Sequence, residues 1–315
     1  MASTEIEIVD PAATVDKLNK IAADRALNRR RFITALGITG AVAGAGLISG
    51  CKTTSAVAVN TAGTGQTDIL NFALNLEYLQ ATLYAYLTTG ADLPASVTAN
   101  SGAITGAPAQ LAVTGAMTQQ IVDLLNEIYF DELNHVIGLR GVLSSALVPR
   151  PAINLGALGA ITATNALSIA RLLKDVGLTA YTGSMAGLST SNATYAAQIL
   201  GAESFHSGAL RLISIQNPTI AAYIAADSLD VPPADLGSAA TEAAGPTASG
   251  GFFPTNGAGA SGSIAGYTYT RSTSQVLAVL YGSPTTAGTA VVPASSGTAL
   301  GGFFPSGLNG NITTI

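Results

Sequence analysis

The sequence predicts an all-α fold: a four-helix bundle with a short fifth helix and an irregular Gly/Pro/Ser-rich C-terminal tail. Three observations carry this expectation. Four segments between residues 67 and 216 repeat apolar side chains at helical spacing. Pro149, Pro151 and Pro218 stand where the second and fourth of these segments must stop. Beyond residue 230 the helical pattern gives way to Gly, Pro, Ser and Thr, with one short helical stretch from Ser274 to Tyr281.

Residues 1–50 precede the fold. Asn28-Arg29-Arg30-Arg31-Phe32-Ile33 resembles the twin-arginine export motif, and an uncharged run from Phe32 to Gly50 follows it. That run ends in Ile48-Ser49-Gly50-Cys51, which resembles a lipobox, so the segment reads as a cleavable lipoprotein-type signal. The alternative is a retained single-pass helix, since about 20 apolar residues can span a bilayer. Five glycines between Gly37 and Gly50 make that a poor anchor. Lipidation at Cys51 would tether the domain to a membrane without spanning it, in the periplasm or at the cell surface. Residues 51–66 are small and polar and read as a flexible tether.

The bundle is expected over 67–230. Its first helix covers about 67–89, with Thr67 or Asp68 as N-cap and Leu70, Ala73, Leu74, Ala81 and Tyr84 as apolar positions. A Gly/Thr/Ala-rich connection over about 90–115 is longer than most loops and serves as surface cover or a lid, with cover favoured. The second helix, about 116–147, repeats Ile121, Leu124, Leu125, Ile128, His135, Leu139 and Val142 on one face. The third, about 158–183, shows Ala163, Leu167, Ala170, Gly177, Leu178 and Tyr181; the fourth, about 189–216, shows Tyr195, Ile199, Leu210 and Ile213. A short fifth helix over about 218–228 caps the bundle. In the tail, 231–315, Gly250-Gly251-Phe252-Phe253-Pro254 recurs as Gly301-Gly302-Phe303-Phe304-Pro305. Two copies are too few for a solenoid. Each Phe pair is expected to plug an apolar groove on the bundle, in preference to serving as a partner-binding motif.

Composition narrows the function classes. The chain is 48% hydrophobic and 10% charged. Six of its 13 Lys and Arg and five of its 18 Asp and Glu precede residue 51, so the remainder carries about −6. No basic footprint for nucleic acid is left. One cysteine, Cys51, excludes an intrachain disulfide, and no Ser/His/acid arrangement or phosphate-binding glycine loop is visible.

Chemistry resides instead in polar residues on apolar helix faces. Glu132 and His135 stand three apart on the second helix, and Glu203 and His206 repeat the spacing on the fourth. Glu77 lies among Ala73, Leu74 and Ala81 on the first. A buried carboxylate needs a proton, a partner or a metal. Two Glu-x-x-His pairs with a Glu on a third helix form the ligand pattern of dimetal-carboxylate bundles, whose ions are iron or manganese. The candidate metal ligands are therefore Glu77, Glu132, His135, Glu203 and His206.

The chain also resembles the ferritin-like domain family of desiccation-related proteins. The stretches that carry the likeness are Asn71-Phe72-Ala73-Leu74-Asn75-Leu76-Glu77-Tyr78-Leu79, Asp131-Glu132-Leu133-Asn134-His135-Val136, Asp175-Val176-Gly177-Leu178-Thr179-Ala180-Tyr181 and Ala202-Glu203-Ser204-Phe205-His206. Thr273-Ser274-Gln275-Val276-Leu277-Ala278, Tyr281-Gly282 and Gly302-Phe303-Phe304-Pro305 extend it into the tail. The resemblance implies a ferritin-like bundle and an association with stress in exported proteins. It implies little about chemistry.

One position departs from that family, which usually has a Glu before the Asp of the third-helix motif; here it is Lys174. Lys174 shares a face with Leu167, Ala170, Gly177, Leu178 and Tyr181, whereas Asp175 shares one with Ser168, Arg171, Thr179 and Thr182. Three readings stand open. Lys174 forms an internal ion pair with Glu77, Glu132 or Glu203; or the helix turns and Asp175 supplies the missing carboxylate; or Lys174 snorkels outward. They rank in that order.

Two functions follow. The first is a stress-associated structural or binding protein whose carboxylate/His site is empty or holds a single metal. The second is a dimetal iron or manganese oxidoreductase acting on peroxide, oxygen or ferrous iron, which needs four carboxylates and two imidazoles. Lys174 favours the first. A homo-oligomer is compatible with the sequence; protein partners and substrate are not legible in it.

Overall fold

The computed structural model describes residues 65–217, 271–284 and 291–315. The arginine-rich leader, Cys51, the tether, the expected helix at 218–228 and the Phe252-Phe253 peptide lie outside the described residues. Among the described residues are five helices: α1 (Gln66–Thr89), α2 (Gln119–Leu143), α3 (Ala166–Ser184), α4 (Thr190–Gln216) and α5 (Thr273–Leu280). Four two-residue strands accompany them. β1 (Ile104–Thr105) runs parallel to β2 (Ile153–Asn154), with Ile104 opposite Ile153. β3 (Ser283–Pro284) runs antiparallel to β4 (Val291–Val292).

Helix α1 is the axis of the structure. Every residue from Ile69 to Ala85 is buried, so its polar members must be answered internally. Asn71 Nδ2 donates to Ala146 O at 2.9 Å, and its Oδ1 accepts from Val148 N at 3.0 Å. Asn75 Nδ2 donates to Asn309 O at 2.8 Å, which ties α1 to the C-terminal tail. The N-cap is Gly65 rather than Thr67 or Asp68; Asp68 sits in the first turn, where its Oδ2 accepts from Gly65 N at 3.4 Å. The sequence pattern gave α1 a single apolar stripe. Packing gives it a cover on every side, from α2, α3, the 90–118 connection and the tail.

That connection is cover, held by Leu93, Val97, Leu111 and Met117 in the core. It is pinned by Arg150, whose buried guanidinium makes a two-pronged pair with Asp92 at 2.5 and 2.9 Å.

Helix α2 starts after Thr118, and at Leu143 it yields to a 3-10 turn, Ser144–Ala146, so it is shorter than the expected 116–147, and Val142, expected on its inward face, is exposed near that end. Helix α3 starts at Ala166, not 158. Before it, Asn165 Oδ1 accepts from Thr162 N at 2.7 Å, a side-chain bond that competes with helix formation, and Ala163 is exposed. Helix α4 begins after the N-cap Ser189, packs mainly on α3 and touches α2 less extensively.

The described tail packs on the bundle. A capping box between Ser272 and Gln275 starts α5, which buries Val276, Leu277, Val279 and Leu280. Phe303 and Phe304 are both buried. Phe303 N donates to Leu280 O at 2.8 Å and its carbonyl accepts from Asn154 N at 2.9 Å. Gly302 explains part of the repeated peptide: at φ +48, a Cβ there would meet Leu280 O at 2.3 Å.

Candidate metal centre

Each of the four bundle helices turns residues three apart to one place: Glu77 and Gln80 from α1, Glu132 and His135 from α2, Lys174 and the bare backbone of Gly177 from α3, Glu203 and His206 from α4. Three-residue spacing keeps both members of a pair on one face. Glu77, Glu132, Lys174 and Glu203 are wholly buried. Ligand atoms of Glu77, Glu132, His135 and Glu203 all lie within 4.8 Å of one another, close enough to hold a metal ion. His206 flanks this group, with Nδ1 3.4 Å from Glu132 Oε1 and Nε2 3.1 Å from Asp131 Oδ2.

Lys174 occupies the middle. Its ammonium is paired with Glu132 Oε1 and lies 2.7 Å from Glu203 Oε1, 5.5 Å from the centre of the Tyr84 ring. It does not reach solvent. Asp175 belongs to a different network. Its carboxylate accepts from Ser207 Oγ at 2.5 Å and from Arg211 at 2.8 Å, with Arg171 Nε 3.6 Å away. The structure therefore brings Glu77, Glu132, His135, Glu203, His206 and Lys174 together and turns Asp175 elsewhere.

Three contributors were not singled out from sequence. Tyr181 donates its hydroxyl to Glu77 Oε1 at 2.6 Å. It follows Lys174 by two helical turns, and that spacing was the available signal. Asp131 anchors His206 from the residue preceding Glu132, a position that spacing alone places off the inward face. Gly177 leaves room: a Cβ there would stand 2.6 Å from Gln80 Nε2 and 2.9 Å from Glu203 Oε2.

The charges settle unevenly. Burial pushes up the carboxyl of Glu203, the charge of Glu132 adds to this, and Lys174 offsets only part, leaving it at about 8. Burial acts on Glu132 too, but Lys174, a hydrogen bond from His206 and the charge on His135 together hold it well below the usual carboxylate range. Of the two glutamates sharing one ammonium, one is thus ionised and the other carries the proton at neutral pH. Glu77 is raised by burial and by Glu132. His135 is raised to about 9, because Glu77, Glu132 and Glu203 outweigh its burial. Burial likewise opposes the charge on Lys174 and is outweighed by the same three carboxylates.

This donor set does not fit two divalent ions. Three carboxylates and two imidazoles converge, but an ammonium takes one oxygen from each of two carboxylates and supplies positive charge where a second ion would sit. Glu132 Oε2 and Glu203 Oε2 make no hydrogen bond among the described residues, which leaves carboxylate oxygens for at most one ion.

A helical bundle with carboxylates and imidazoles gathered in its core defines a class, that of the carboxylate-bridged metal bundles and their relatives. Residues 65–216 match the family described as Ferritin-like domain, and this part of the chain is a ferritin-like domain. A comparison with curated proteins finds no match to the chain.

Proposed function

We propose that this ferritin-like protein works as a stress-associated structural or binding protein of the desiccation-related type, holding at most one metal ion per chain, and not as a dimetal oxidoreductase. The observation that carries this reading is the Lys174 ammonium, bound between Glu132 and Glu203. It does the work of a metal ion for the stability of the core: it neutralises carboxylates that would otherwise repel one another in a low dielectric. It cannot do the work of one in catalysis, because an ammonium neither opens a coordination position nor changes oxidation state. The desiccation-related assignment rests on the sequence stretches around Glu77, Glu132, Asp175 and Glu203.

Elemental analysis of the purified protein tests it. The wild type is expected to carry fewer than two equivalents of iron or manganese and to show little ferrous oxidation or peroxide turnover. Lys174→Glu, which restores a fourth carboxylate, is expected to raise the stoichiometry. Two tightly bound ions in the wild type would overturn the reading.

The protein is further proposed to be exported and anchored through lipid on Cys51, a reading supported by Arg29-Arg30 and by the small residues before Cys51. Replacing both arginines with lysine should strand the precursor in the cytoplasm. A membrane-bound species whose intact mass begins at Met1, with no acyl adduct, would refute the anchor.

A further inference from the structure

Helix α4 carries on its outer side a stripe that nothing among the described residues explains. Gly201, Phe205, Gly208 and Leu212 follow one another at spacings of four, three and four residues, so they line one face. Phe205 is 80% exposed and Leu212 54%. A Cβ added at Gly201 or Gly208 would meet nothing within 4 Å. Glycine weakens a helix relative to alanine, and no neighbour within the described residues requires it at either position.

The order of the four residues selects an occupant. Read forwards, the stripe runs hole, knob, hole, knob; read backwards, it runs knob, hole, knob, hole, at the same spacings. Laid antiparallel against itself about a two-fold axis between His206 and Ser207, it sets Phe205 over Gly208 of the second copy and Leu212 over Gly201. Each bulky side chain then meets a gap, in an interface where the same patch serves both copies. A partner of unrelated sequence has no reason to match that register.

Charge and area agree with this. Among the residues of α4 whose burial is described, every exposed one is uncharged and the half-buried Arg211 is paired with Asp175, in a chain whose net charge is −5, so two α4 faces approach without like-charge repulsion on the helix itself. A helix of 27 residues is about 40 Å long, and a strip about 10 Å wide along it buries on the order of 800 Å² counted over both copies. That is smaller than a stable specific interface and in the size class of weak, transient ones, which fits a reversible dimer.

We infer that the protein self-associates as a two-fold dimer through α4, with Phe205 and Leu212 of each copy seated over Gly208 and Gly201 of the other.

Sedimentation equilibrium of the full chain in density-matched detergent tests this, with circular dichroism melting as a check on folding. The wild type is expected to dimerise reversibly, in the micromolar range. Gly208→Leu fills a hole in open space, so it should leave the melting transition unchanged or higher, yet weaken the dimer at least tenfold. Phe205→Ser should weaken it comparably. Nonspecific apolar association behaves in the opposite sense, because the added leucine enlarges the apolar face. A wild type that stays monomeric, a Gly208→Leu chain that associates as tightly as the wild type or more so, or a dimer lost with Phe130→Ser on α2 but not with Phe205→Ser would each overturn the proposal. For register, the double variant Phe205→Cys/Gly208→Cys should form a disulfide dimer on mild oxidation, and Thr194→Cys should not.

Discussion

Lys174 Nζ and Glu203 Oε1 lie 2.7 Å apart in a place neither residue shares with solvent. The contact joins α3 to α4, and the pairing with Glu132 extends it to α2. Three helices are thus fastened by one ammonium. In a low dielectric, the attraction is useful only while every partner is present, because a single buried charge left alone is far costlier than the pair.

Removing the ammonium should therefore be expensive. Lys174→Ala in metal-free protein is expected to lower stability by about 3–5 kcal/mol, since it strands ionised carboxylate in the core. Adding Glu132→Gln and Glu203→Gln to the same chain should recover much of that loss. Urea unfolding of the single and triple variants measures both. A loss below about 1 kcal/mol for Lys174→Ala would show that the pair contributes nothing to the fold.

Tyr181 offers a smaller and cleaner perturbation. Its hydroxyl is the donor to Glu77 Oε1, at 2.6 Å, and both groups are buried. Tyr181→Phe removes one oxygen and leaves the ring, so the expected cost is that of an unsatisfied acceptor, about 1–3 kcal/mol. Glu77→Gln in the Tyr181→Phe background should cost less than in the wild type. Additive losses in that double-mutant cycle would mean the two side chains do not interact in solution.

Much of this centre was legible because helical spacing is a strict rule. Glu132 and His135, or Glu203 and His206, cannot be three apart on a helix without sharing a face, and the apolar neighbours say which face is inward. Lys174 was legible on the same grounds. Asp175 was harder: its face could be read, but Arg211 and Ser207 come from α4, and only the packing of α4 on α3 brings them together. The apolar stripe of α1 was legible but its total burial was not, since a helix covered on every side needs no polar face to mark where the cover ends. The expected start of α3 is too early because Ala163 stands at helical spacing before Leu167 and Ala170 and so imitates a continuation of their face. The Thr162–Asn165 bond, a local competitor, ends that imitation. Strands of two residues such as β1 and β2 are below what any periodicity can reveal.

The tail should behave as part of the fold. Phe304 is wholly buried, Phe303 nearly so, and Phe303 bridges Leu280 and Asn154 through its backbone. Phe304→Ala is expected to cost about 3–5 kcal/mol, as for other buried aromatics cut to alanine. Gly302→Ala should also destabilise, because its backbone stands at φ +48 against Leu280 O. Calorimetric melting checks both. A transition unchanged from the wild type would make the C-terminal peptide an appendage.

The final expectation concerns pH and follows from how the protons settle in the core of the metal-free protein. Glu203 is raised from 4.5 to about 8 in the folded chain. Between those values the folded protein holds a proton that the unfolded one has released, so stability falls as pH rises. His135, raised from 6.5 to about 9, acts in the same sense. Its contribution is complete below 6.5 and is lost as pH climbs through 9. Glu132 is lowered and acts in the opposite sense: its contribution is present above 4.5 and fades as pH falls below that value. Stability should thus peak at about pH 4.5 and decline most steeply between roughly 6.5 and 8, where the folded chain still holds two protons that the unfolded one has released. Glu203→Gln keeps that position neutral at every pH. It should flatten the alkaline decline without removing it, because His135 still titrates. Denaturant midpoints measured from pH 5 to 9.5 decide the matter: a wild-type midpoint that rises across this range, or a Glu203→Gln profile as steep as the wild type, would show that Glu203 does not carry a proton at neutral pH.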